Sequence, residues 1–318
     1  MTSRGEIPGL TGMRGLASLY VLIYHIGVLF PSFGYLLTVS RLGFYGWSGV
    51  DFFFVLSGYL LAFLYSDTGV DIRYVLKRVF RTFPLYYLCV ILFAIAGYVH
   101  LSPLWIIYAQ NYFPQTFVAL PFWTLALEEA FYFILFPALL WISKRADSTY
   151  LLILAAALSL SYRFLVPHTD YALQQLPSYL VDYVAGMWVA RAKLPNASWL
   201  NGAGVAVWVG AGLILVENLN NPIAPVLDAL AYSLIIATMQ GSRVFTNRVS
   251  LWLGRISYSL YLSQLLILLP LARLVLPMIL VVPLGALGCL LLAYALRTRI
   301  EEPFLLLGRL VIARVQQD

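Results

Sequence analysis

Long apolar runs divide this chain almost from end to end. A helix that crosses a bilayer needs about 20 mostly apolar residues. Ten segments reach or approach that length, and they lie at 9–31, 46–66, 82–100, 120–142, 149–166, 177–191, 198–216, 223–240, 250–272 and 275–296. The pattern predicts an all-α integral membrane protein of about ten transmembrane helices, in which the fifth and sixth segments are short for a span. An even number of spans places both termini on one side of the membrane.

The basic residues orient this topology, because the cytoplasmic ends of spans collect Lys and Arg. With the N-terminus in the cytoplasm, all but three of the 20 basic residues fall on inner loops or inner helix ends. The three exceptions are Arg41, Arg163 and Arg273. One span more or fewer would remove the excess of basic residues on the inner side, so the charges favour two cytoplasmic termini.

Composition excludes the soluble classes of protein. Apolar residues make up 62% of the 318 residues and charged residues only 11%, which is too few to cover a soluble surface. The net charge of +6 follows from the membrane orientation and does not indicate nucleic-acid binding. Two cysteines in apolar runs and three scattered histidines give neither a disulfide framework nor a metal-ligand spacing, so no metal is expected.

No linker or soluble region interrupts the pattern. We expect a single transmembrane domain over 1–318, in which 300–318 forms a short amphipathic tail on the cytoplasmic face. The first apolar run is longer than the core of a cleaved signal peptide and lacks a small-residue cleavage site.

Two ionisable residues stand on one face of the first span. Arg14 and His25 are eleven residues apart, which is about 16 Å along a helix and nearly a whole number of turns. An arginine near the inner interface and a deeper histidine suit a long substrate with an anionic end in the cytoplasm. Alternatively, Arg14 extends to the interface and His25 is satisfied by neighbouring helices.

Carboxylates enter two later spans. Glu128 and Glu129 are adjacent in an apolar helix, so one can face inward while the other faces the interface. A buried glutamate can orient a histidine or act as an acid or base, whereas an interfacial pair would merely mark the start of the span. Asp51 begins the second span, where it either caps the helix or orients catalytic groups.

Arg78 and Arg81 precede the predicted third span and share one helical face. Guanidinium groups bind phosphates through paired donors, although inner-loop arginines are also expected from membrane orientation alone. Later spans carry further polar side chains that either line a cavity or bond to a neighbouring helix. They are Asp182, Asp228, Tyr258, Tyr261 and Gln264.

Six blocks together resemble the acyltransferase family 3 membrane proteins. The first runs from Gly9 through Arg14 to His25, with ten residues between the arginine and the histidine. The other blocks lie at 49–58, 78–87, 122–132, 253–262 and 299–304. Each block alone is weak, but the ordered set covers almost the whole chain. We expect the transmembrane domain to act without the esterase-like domain that some relatives carry.

The resemblance implies an O-acyltransferase of the bacterial inner membrane. Such an enzyme moves an acyl group, commonly acetyl, from cytoplasmic acyl-coenzyme A to a hydroxyl of a cell-surface or exported glycan or a lipid-linked sugar. By this resemblance, Arg14, Arg78 and Arg81 would hold the phosphates of the donor. His25 would act as the general base, Glu128 or Glu129 would orient its imidazole, and Asp51 would assist from the outer side. Direct transfer and an acyl-enzyme intermediate both remain open.

One position departs from the family. Relatives often carry a histidine where this chain has Ser263 and Gln264, and an amide keeps a hydrogen bond but cannot titrate. Two alternative functions compete with the enzyme. A transporter or flippase for a polar lipid or metabolite would use a similar polar cavity, and a sensor or scaffold subunit could retain an inactive acyltransferase fold.

Overall fold

A computed structural model describes residues 7–30, 41–118, 120–192, 198–215, 221–274 and 277–315. Its helices of twelve or more residues are α1 (Pro8–Leu29), α2 (Gly49–Tyr65), α3 (Ile72–Ile95), α4 (Phe122–Ile142), α5 (Ser148–Leu165), α6 (Leu180–Arg191), α7 (Ser198–Leu215), α8 (Ala224–Thr238), α9 (Arg248–Leu271), α10 (Met278–Leu296) and α11 (Glu302–Val315). Single helical turns join several of them, at Arg41–Phe44, Tyr45–Ser48, Pro103–Trp105, Gln110–Tyr112, Asp170–Leu173, Leu176–Tyr179 and Arg243–Thr246.

A helix occupies each of the ten predicted segments, which confirms an all-α, multi-pass membrane protein. Within the described residues, six helices are long and apolar enough to span a bilayer, and α7 and α8 are shorter apolar helices. The sixth predicted segment is short for a span, as expected, because α6 has only 12 residues. At the other end of the chain, a π-helical turn at Arg297–Glu301 joins α10 to α11, so the helix continues to Val315.

The prediction for the third span was wrong at its start. The apolar run suggested 82–100, but α3 begins at Ile72 and includes Arg78 and Arg81 within its first three turns. Asp71 caps this helix, since its side chain accepts a hydrogen bond from the backbone N–H of Tyr74 at 3.0 Å. Hydropathy missed these turns because they carry four basic residues, of which Arg73 and Lys77 are exposed and Arg78 and Arg81 are half-buried.

Side-chain contacts show the direction in which the helices run, and the directions agree with a chain that crosses the membrane repeatedly. α3 and α4 are antiparallel, since Phe93 contacts Phe122 near one end and Tyr74 stacks on Phe136 near the other. α1 and α9 are parallel, because Arg14 contacts Ser257 while His25, further along, lies beside Gln264. We call the end of the bundle at which α1 begins the inner end and the opposite end the outer end.

The start of α1 and the end of α10 meet at the inner end. Glu301, just beyond α10, interacts electrostatically with Arg14 and receives a hydrogen bond from Ser259 of α9. The two ends of the described bundle therefore lie on one side, as the predicted even number of spans requires.

Glycines set the closest approach of two helix pairs. A Cβ atom on Gly254 of α9 would lie 1.9 Å from the carbonyl oxygen of Thr11 in α1. A Cβ on Gly186 of α6 would lie 1.9 Å from the carbonyl oxygen of Val55 in α2. Both contacts bring backbones together in the way that small residues permit in membrane proteins. The α1–α9 and α2–α6 pairs are therefore fixed in register.

The segment between α3 and α4 folds back onto the bundle. Tyr108 adopts a left-handed backbone conformation with φ of 56°, and its buried ring stacks on Tyr86 with centroids 4.0 Å apart. The hydroxyl of Tyr86 donates to the carbonyl oxygen of Trp105 at 3.1 Å. Asn111 then donates to the carbonyl oxygen of Trp123 at 3.0 Å, which ties the segment to the start of α4.

Candidate active site

Three arginines and one glutamate converge near the inner end. Arg14 of α1 interacts electrostatically with Arg81 of α3 and with Glu128 of α4. Glu128 in turn interacts with Arg14, Arg78 and Arg81. We call these four residues the inner arginine cluster. Two further carboxylates lie at its edge, since Glu301 also interacts with Arg14 and Glu129 with Arg78.

The side chains of the inner arginine cluster are half-buried. Each interacts with a charged group on another helix. Arg14 also reaches α9, where its Nη2 lies 3.5 Å from the hydroxyl of Ser257. The cluster therefore lies where α1, α3, α4 and α9 meet at the inner end. Three guanidinium groups so placed suit an anionic ligand.

Tyr132 holds two members of the cluster in place. Its hydroxyl donates to Oε2 of Glu128 at 3.2 Å and lies 3.0 Å from the hydroxyl of Ser57 in α2. The guanidinium of Arg78 lies 4.8 Å from the centroid of the Tyr132 ring, within cation–π range. Tyr132 belongs to a π-helical turn, Phe131–Leu135, and such turns are frequent at functional sites.

Arg78 keeps an unused donor. Its Nε atom is buried and has no hydrogen-bond partner among the described residues. A buried guanidinium N–H without a partner is costly unless a ligand or water accepts it. The arrangement is therefore consistent with an anionic group bound at this position.

Glu129 lies beside the cluster but faces elsewhere. Its side chain is 5% exposed, and neither carboxylate oxygen has a hydrogen-bond partner among the described residues. It lies near the side chain of Thr82 and interacts electrostatically with Glu128 and Arg78. Adjacent helical residues face about 100° apart, so the two glutamates take separate positions, as the sequence predicted.

His25 lies deeper in the bundle, on the same helix as Arg14. Its imidazole is partly exposed, interacts with the side chain of Gln264 in α9 and packs 5.5 Å from the ring of Tyr24. Within the described residues, Glu128 and Glu129 interact with the arginines rather than with His25. The predicted role of a glutamate in orienting the imidazole remains a prediction.

One face of α9 connects the arginines with the histidine. Ser257, Tyr261 and Gln264 are spaced four and three residues apart and therefore share this face. Ser257 lies beside Arg14 and Gln264 beside His25, whereas Tyr261 is intermediate and interacts electrostatically with Glu128. The hydroxyl groups of Tyr261 and Thr124 are 3.0 Å apart. Polar groups therefore line the interval between the two predicted parts of the site.

The structure places Asp51 apart from the inner arginine cluster. Asp51 interacts electrostatically with Arg163 of α5, and it also lies close to Asp182 of α6 and Asp228 of α8. We call these four residues the outer acidic cluster, and each of them is at most 2% exposed. Asp51 is therefore part of a buried group at the outer end, at a distance from the arginines.

Hydrogen bonds anchor the outer acidic cluster to the surrounding helices. Tyr45 donates to Oδ1 of Asp228 at 2.6 Å, and Nη2 of Arg163 donates to the carbonyl oxygen of Asn221 at 3.1 Å. Sequence reasoning did not bring these residues together. A signal was present, however, because the alternating topology places all four positions near the outer ends of their helices.

Metal ligands do not assemble in the part of the chain that the structure describes. No group of three His, Cys, Asp or Glu side chains there is arranged to hold a metal ion.

Comparison with known proteins agrees with the geometry. A protein-family model described as an acyltransferase domain matches residues 7–298. The chain is 30% identical to BcsY of Komagataeibacter xylinus, which is named as a candidate membrane-bound transacylase, over 80% of this chain and 70% of BcsY. It is 34% identical to the O-acetyltransferase OatA of Staphylococcus aureus over 43% of this chain, although that region is only 25% of OatA. No solved structure gives a significant match.

Proposed function

This chain belongs to the acyltransferase 3 family and is a membrane-bound acyltransferase. On that premise we propose that it moves an acetyl group from cytoplasmic acetyl-coenzyme A to a hydroxyl of a cell-surface or exported glycan or glycolipid precursor. The relative named as an O-acetyltransferase supports both acetyl as the group and oxygen as the acceptor atom. The bacterial sources of the relatives support a location in the bacterial inner membrane.

One observation carries the proposal: Arg14 and His25 share one side of α1, and both meet α9, at Ser257 and beside Gln264 respectively. Eleven residues separate them, which is about 16 Å of helix. Acyl-coenzyme A has phosphates at one end, a thioester at the other and a long flexible arm between. The inner arginine cluster would hold the phosphates, and the arm would follow the polar face of α9 toward His25.

The positive charge of the cluster suits this donor. Guanidinium groups bind phosphate oxygens through paired N–H donors, and charge-assisted hydrogen bonds are stronger than neutral ones. Arg78 has a buried Nε without a partner among the described residues, which provides one such donor. Glu128 and Tyr132 keep the arginines apart and in place before the donor binds.

His25 supplies the proton transfer. As the acceptor hydroxyl attacks the thioester carbonyl carbon, His25 accepts the hydroxyl proton, and a carbon–oxygen bond forms. The carbon–sulfur bond then breaks, and the coenzyme A thiolate leaves and receives the proton. The products are the acetyl ester and free coenzyme A. The outer acidic cluster, which includes Asp51, would hold the outer ends of the helices around the acceptor.

The test measures acetyl transfer in inverted membrane vesicles, which expose the cytoplasmic face and contain the native acceptor. Vesicles with and without the protein receive radiolabelled acetyl-coenzyme A, and both free thiol and labelled glycan are measured. We expect His25→Ala to lower both by about 10² to 10⁴-fold, because positioned general bases contribute this much. The matched control is His100→Ala, which changes an exposed histidine and should leave the rate unaltered.

A transporter would give a different result. It would neither release coenzyme A from the thioester nor depend on His25 for doing so. Loss of labelled glycan with unchanged thiol release would also contradict the proposed reaction, since the two products form together.

A further inference from the structure

We propose that Tyr132 keeps the inner arginine cluster ready for its ligand by preventing Glu128 from pairing with the arginines. Its hydroxyl holds the carboxylate, and its ring holds the guanidinium of Arg78. The identity of the ligand as acyl-coenzyme A rests on the proposed function, whereas the placement of the charged groups does not. Tyr132 is thus a positioning residue, and sequence reasoning did not single it out as a site residue.

The opposite charges of the cluster are near each other but unpaired. Within the part of the chain that the structure describes, no arginine nitrogen of the cluster lies within 4.0 Å of a carboxylate oxygen of Glu128. Elsewhere at the inner end such a pair does form, since Nη1 of Arg297 lies 2.5 Å from Oε1 of Glu301. The carboxylate of Glu128 is therefore held away from the guanidinium groups that surround it.

The hydroxyl of Tyr132 holds this carboxylate. It donates to Oε2 of Glu128 at 3.2 Å and lies 3.0 Å from the hydroxyl of Ser57 in α2. An ionised carboxylate can only accept, so the one hydrogen of the Tyr132 hydroxyl goes to Glu128 and Ser57 donates to Tyr132. The carboxylate is thereby tied toward α2, whereas Arg78 and Arg81 belong to α3.

The ring of Tyr132 makes the second contact. The guanidinium carbon of Arg78 lies 4.8 Å from the centroid of the Tyr132 ring and 5.7 Å from that of Tyr74. Two aromatic rings thus hold this side chain by cation–π contacts, which do not use its hydrogen-bond donors. Nε of Arg78 accordingly stays buried without a partner among the described residues. The guanidinium is fixed in place while its donors remain available for an anion.

A proline explains why Tyr132 is fixed at this point of α4. In the π-helical turn that contains Tyr132, the N–H of Phe136 bonds to the carbonyl oxygen of Phe131. The next bond of the same pattern would join the carbonyl oxygen of Tyr132 to residue 137, but Pro137 has no N–H. The hydroxyl of Tyr74 supplies the missing donor at 2.7 Å. This bond fastens α4 to α3 beside the cluster.

The arrangement has a consequence for binding. Without the Tyr132 hydroxyl, the carboxylate of Glu128 would be free to pair with Arg78 or Arg81 and occupy the donors that a phosphate needs. A ligand would then bind only the fraction of molecules in which the arginines are unpaired, and its apparent affinity would fall by that fraction. Glu128 is therefore a competitor of the ligand, and Tyr132 restrains it.

Calorimetric titration of coenzyme A into the detergent-purified protein tests this restraint. Tyr132→Phe keeps the ring and removes the hydroxyl, so Kd should rise about tenfold, which corresponds to unpaired arginines in about one molecule in ten. Glu128→Gln removes the competing charge, so the double variant should bind within about twofold of Glu128→Gln alone. A merely structural defect would not be repaired in this way. Wild-type affinity in Tyr132→Phe, or weak binding that Glu128→Gln leaves unrepaired, would overturn the inference.

Two further variants separate the hydroxyl from the ring. Ser57→Ala removes the donor to the Tyr132 hydroxyl and leaves the ring intact, so it should weaken binding less than Tyr132→Phe and be repaired by Glu128→Gln. It decides the matter if Tyr132→Phe does not fold. Tyr132→Leu also removes the ring, and Glu128→Gln should not restore its affinity, because Arg78 then lacks its support.

Tyr162→Phe is the matched control. The hydroxyl of Tyr162 in α5 donates to the carbonyl oxygen of Ala172 at 2.9 Å, away from the cluster, so its loss should leave Kd unchanged. In the inverted vesicles, Tyr132→Phe should raise KM for acetyl-coenzyme A about tenfold and leave kcat within about twofold of the wild type, because the hydroxyl affects binding and not the transfer step.

The outcomes separate this inference from the proposed function. If the wild type binds coenzyme A and Tyr132→Phe binds it equally well, the inference fails and the proposed function stands. If the wild type does not bind coenzyme A, the proposed function fails, and pyrophosphate titrated into the same variants then tests the restraint of Glu128 alone. A wild type that binds neither anion contradicts both.

Discussion

Two charged clusters lie at opposite ends of this bundle, and their compositions are mirror images. The inner arginine cluster sets three arginines against one glutamate, whereas the outer acidic cluster sets three aspartates against one arginine. The inner side chains are partly exposed, while the outer ones are at most 2% exposed. Both contain costly charges within a membrane protein, and the inner one is where we propose that a ligand binds.

Both clusters consist of charged residues, so residue type does not distinguish a binding site from a structural centre. The exposure of the side chains distinguishes them better. An unbalanced charge that a ligand can reach is available for binding. In the sealed outer acidic cluster, Tyr45 donates to Asp228 and Arg163 donates to the carbonyl oxygen of Asn221, but both carboxylate oxygens of Asp182 are without a hydrogen-bond partner among the described residues. Ionisable residues inside a membrane usually have a function. We assign ligand binding to the inner arginine cluster and a structural role to the outer acidic cluster.

Removing Arg163 should have the largest effect, because it breaks the outer acidic cluster. Arg163→Ala leaves three buried carboxylates without their cation, and we expect the free energy of unfolding to fall by about 3–5 kcal/mol. Thermal unfolding in detergent measures this loss. Because the variant can fail to fold, the double variant Arg163→Ala/Asp51→Asn, which removes one negative charge, should regain part of the stability.

If the outer acidic cluster is a structural centre, Arg163→Ala should lower stability without weakening donor binding. The folded fraction of Arg163→Ala, isolated by size exclusion, should keep its KM for acetyl-coenzyme A within about twofold of the wild type. A raised KM, or wild-type stability in Arg163→Ala, would show that the outer acidic cluster is not a purely structural centre.

Removing Arg14 should have the next largest effect, on binding rather than on stability. A hydrogen bond to a charged group contributes about 1.5–3 kcal/mol, which corresponds to a roughly 10- to 150-fold rise in KM for acetyl-coenzyme A in Arg14→Ala. The rise should grow smaller at high salt, because screening weakens the wild-type contact too. Steady-state thiol release at several donor concentrations measures it.

Arg255→Ala is the control for this prediction. Arg255 is an exposed arginine near the inner end of α9 and lies outside the inner arginine cluster. Its removal should leave KM unchanged. Equal effects of Arg14→Ala and Arg255→Ala would mean that general positive charge, rather than this cluster, attracts the donor.

The smallest expected effect concerns the glycine contacts that hold each cluster together. Gly254→Ala forces α9 away from α1, and Gly186→Ala forces α6 away from α2, so each should cost about 1–3 kcal/mol of unfolding free energy. Only Gly254→Ala should also reduce acetyl transfer, since α9 carries Ser257 and Gln264 beside Arg14 and His25.

Gly202→Ala provides the matched control in α7, because a Cβ there meets nothing within 4 Å. Alanine is the better helix former, so this variant should be neutral or more stable by up to about 1 kcal/mol. If Gly254→Ala behaves like Gly202→Ala, the close α1–α9 approach has no role in aligning the site.

The positions of the helices could be predicted from sequence because a bilayer allows few alternatives. A long apolar segment that crosses it must form a helix to satisfy its backbone. The failure at α3 has the same origin: its first turns carry Arg78 and Arg81, which hydropathy reads as a loop. Sequence alone cannot show that other helices surround those turns and supply polar partners.

The candidate site was predicted in part. Arg14 and His25 could be paired from their spacing on one helix, because helical geometry is local. The partner of His25 could not, since Gln264 comes from α9, 239 residues further along the chain, and only tertiary packing brings it there. Asp51 was assigned to the site for its residue type, whereas its neighbours on three other helices decide its surroundings.

Because α1 is continuous from Pro8 to Leu29, it fixes the distance between Arg14 and His25. An α-helix advances 1.5 Å and turns about 100° for each residue, so a single inserted residue between Arg14 and His25 would rotate the imidazole away from α9. Seven inserted residues would restore its direction but would move it about 10 Å further from the arginines. The helix therefore fixes one distance, and under the proposed function the donor must have an arm of matching length before its acyl group can reach His25.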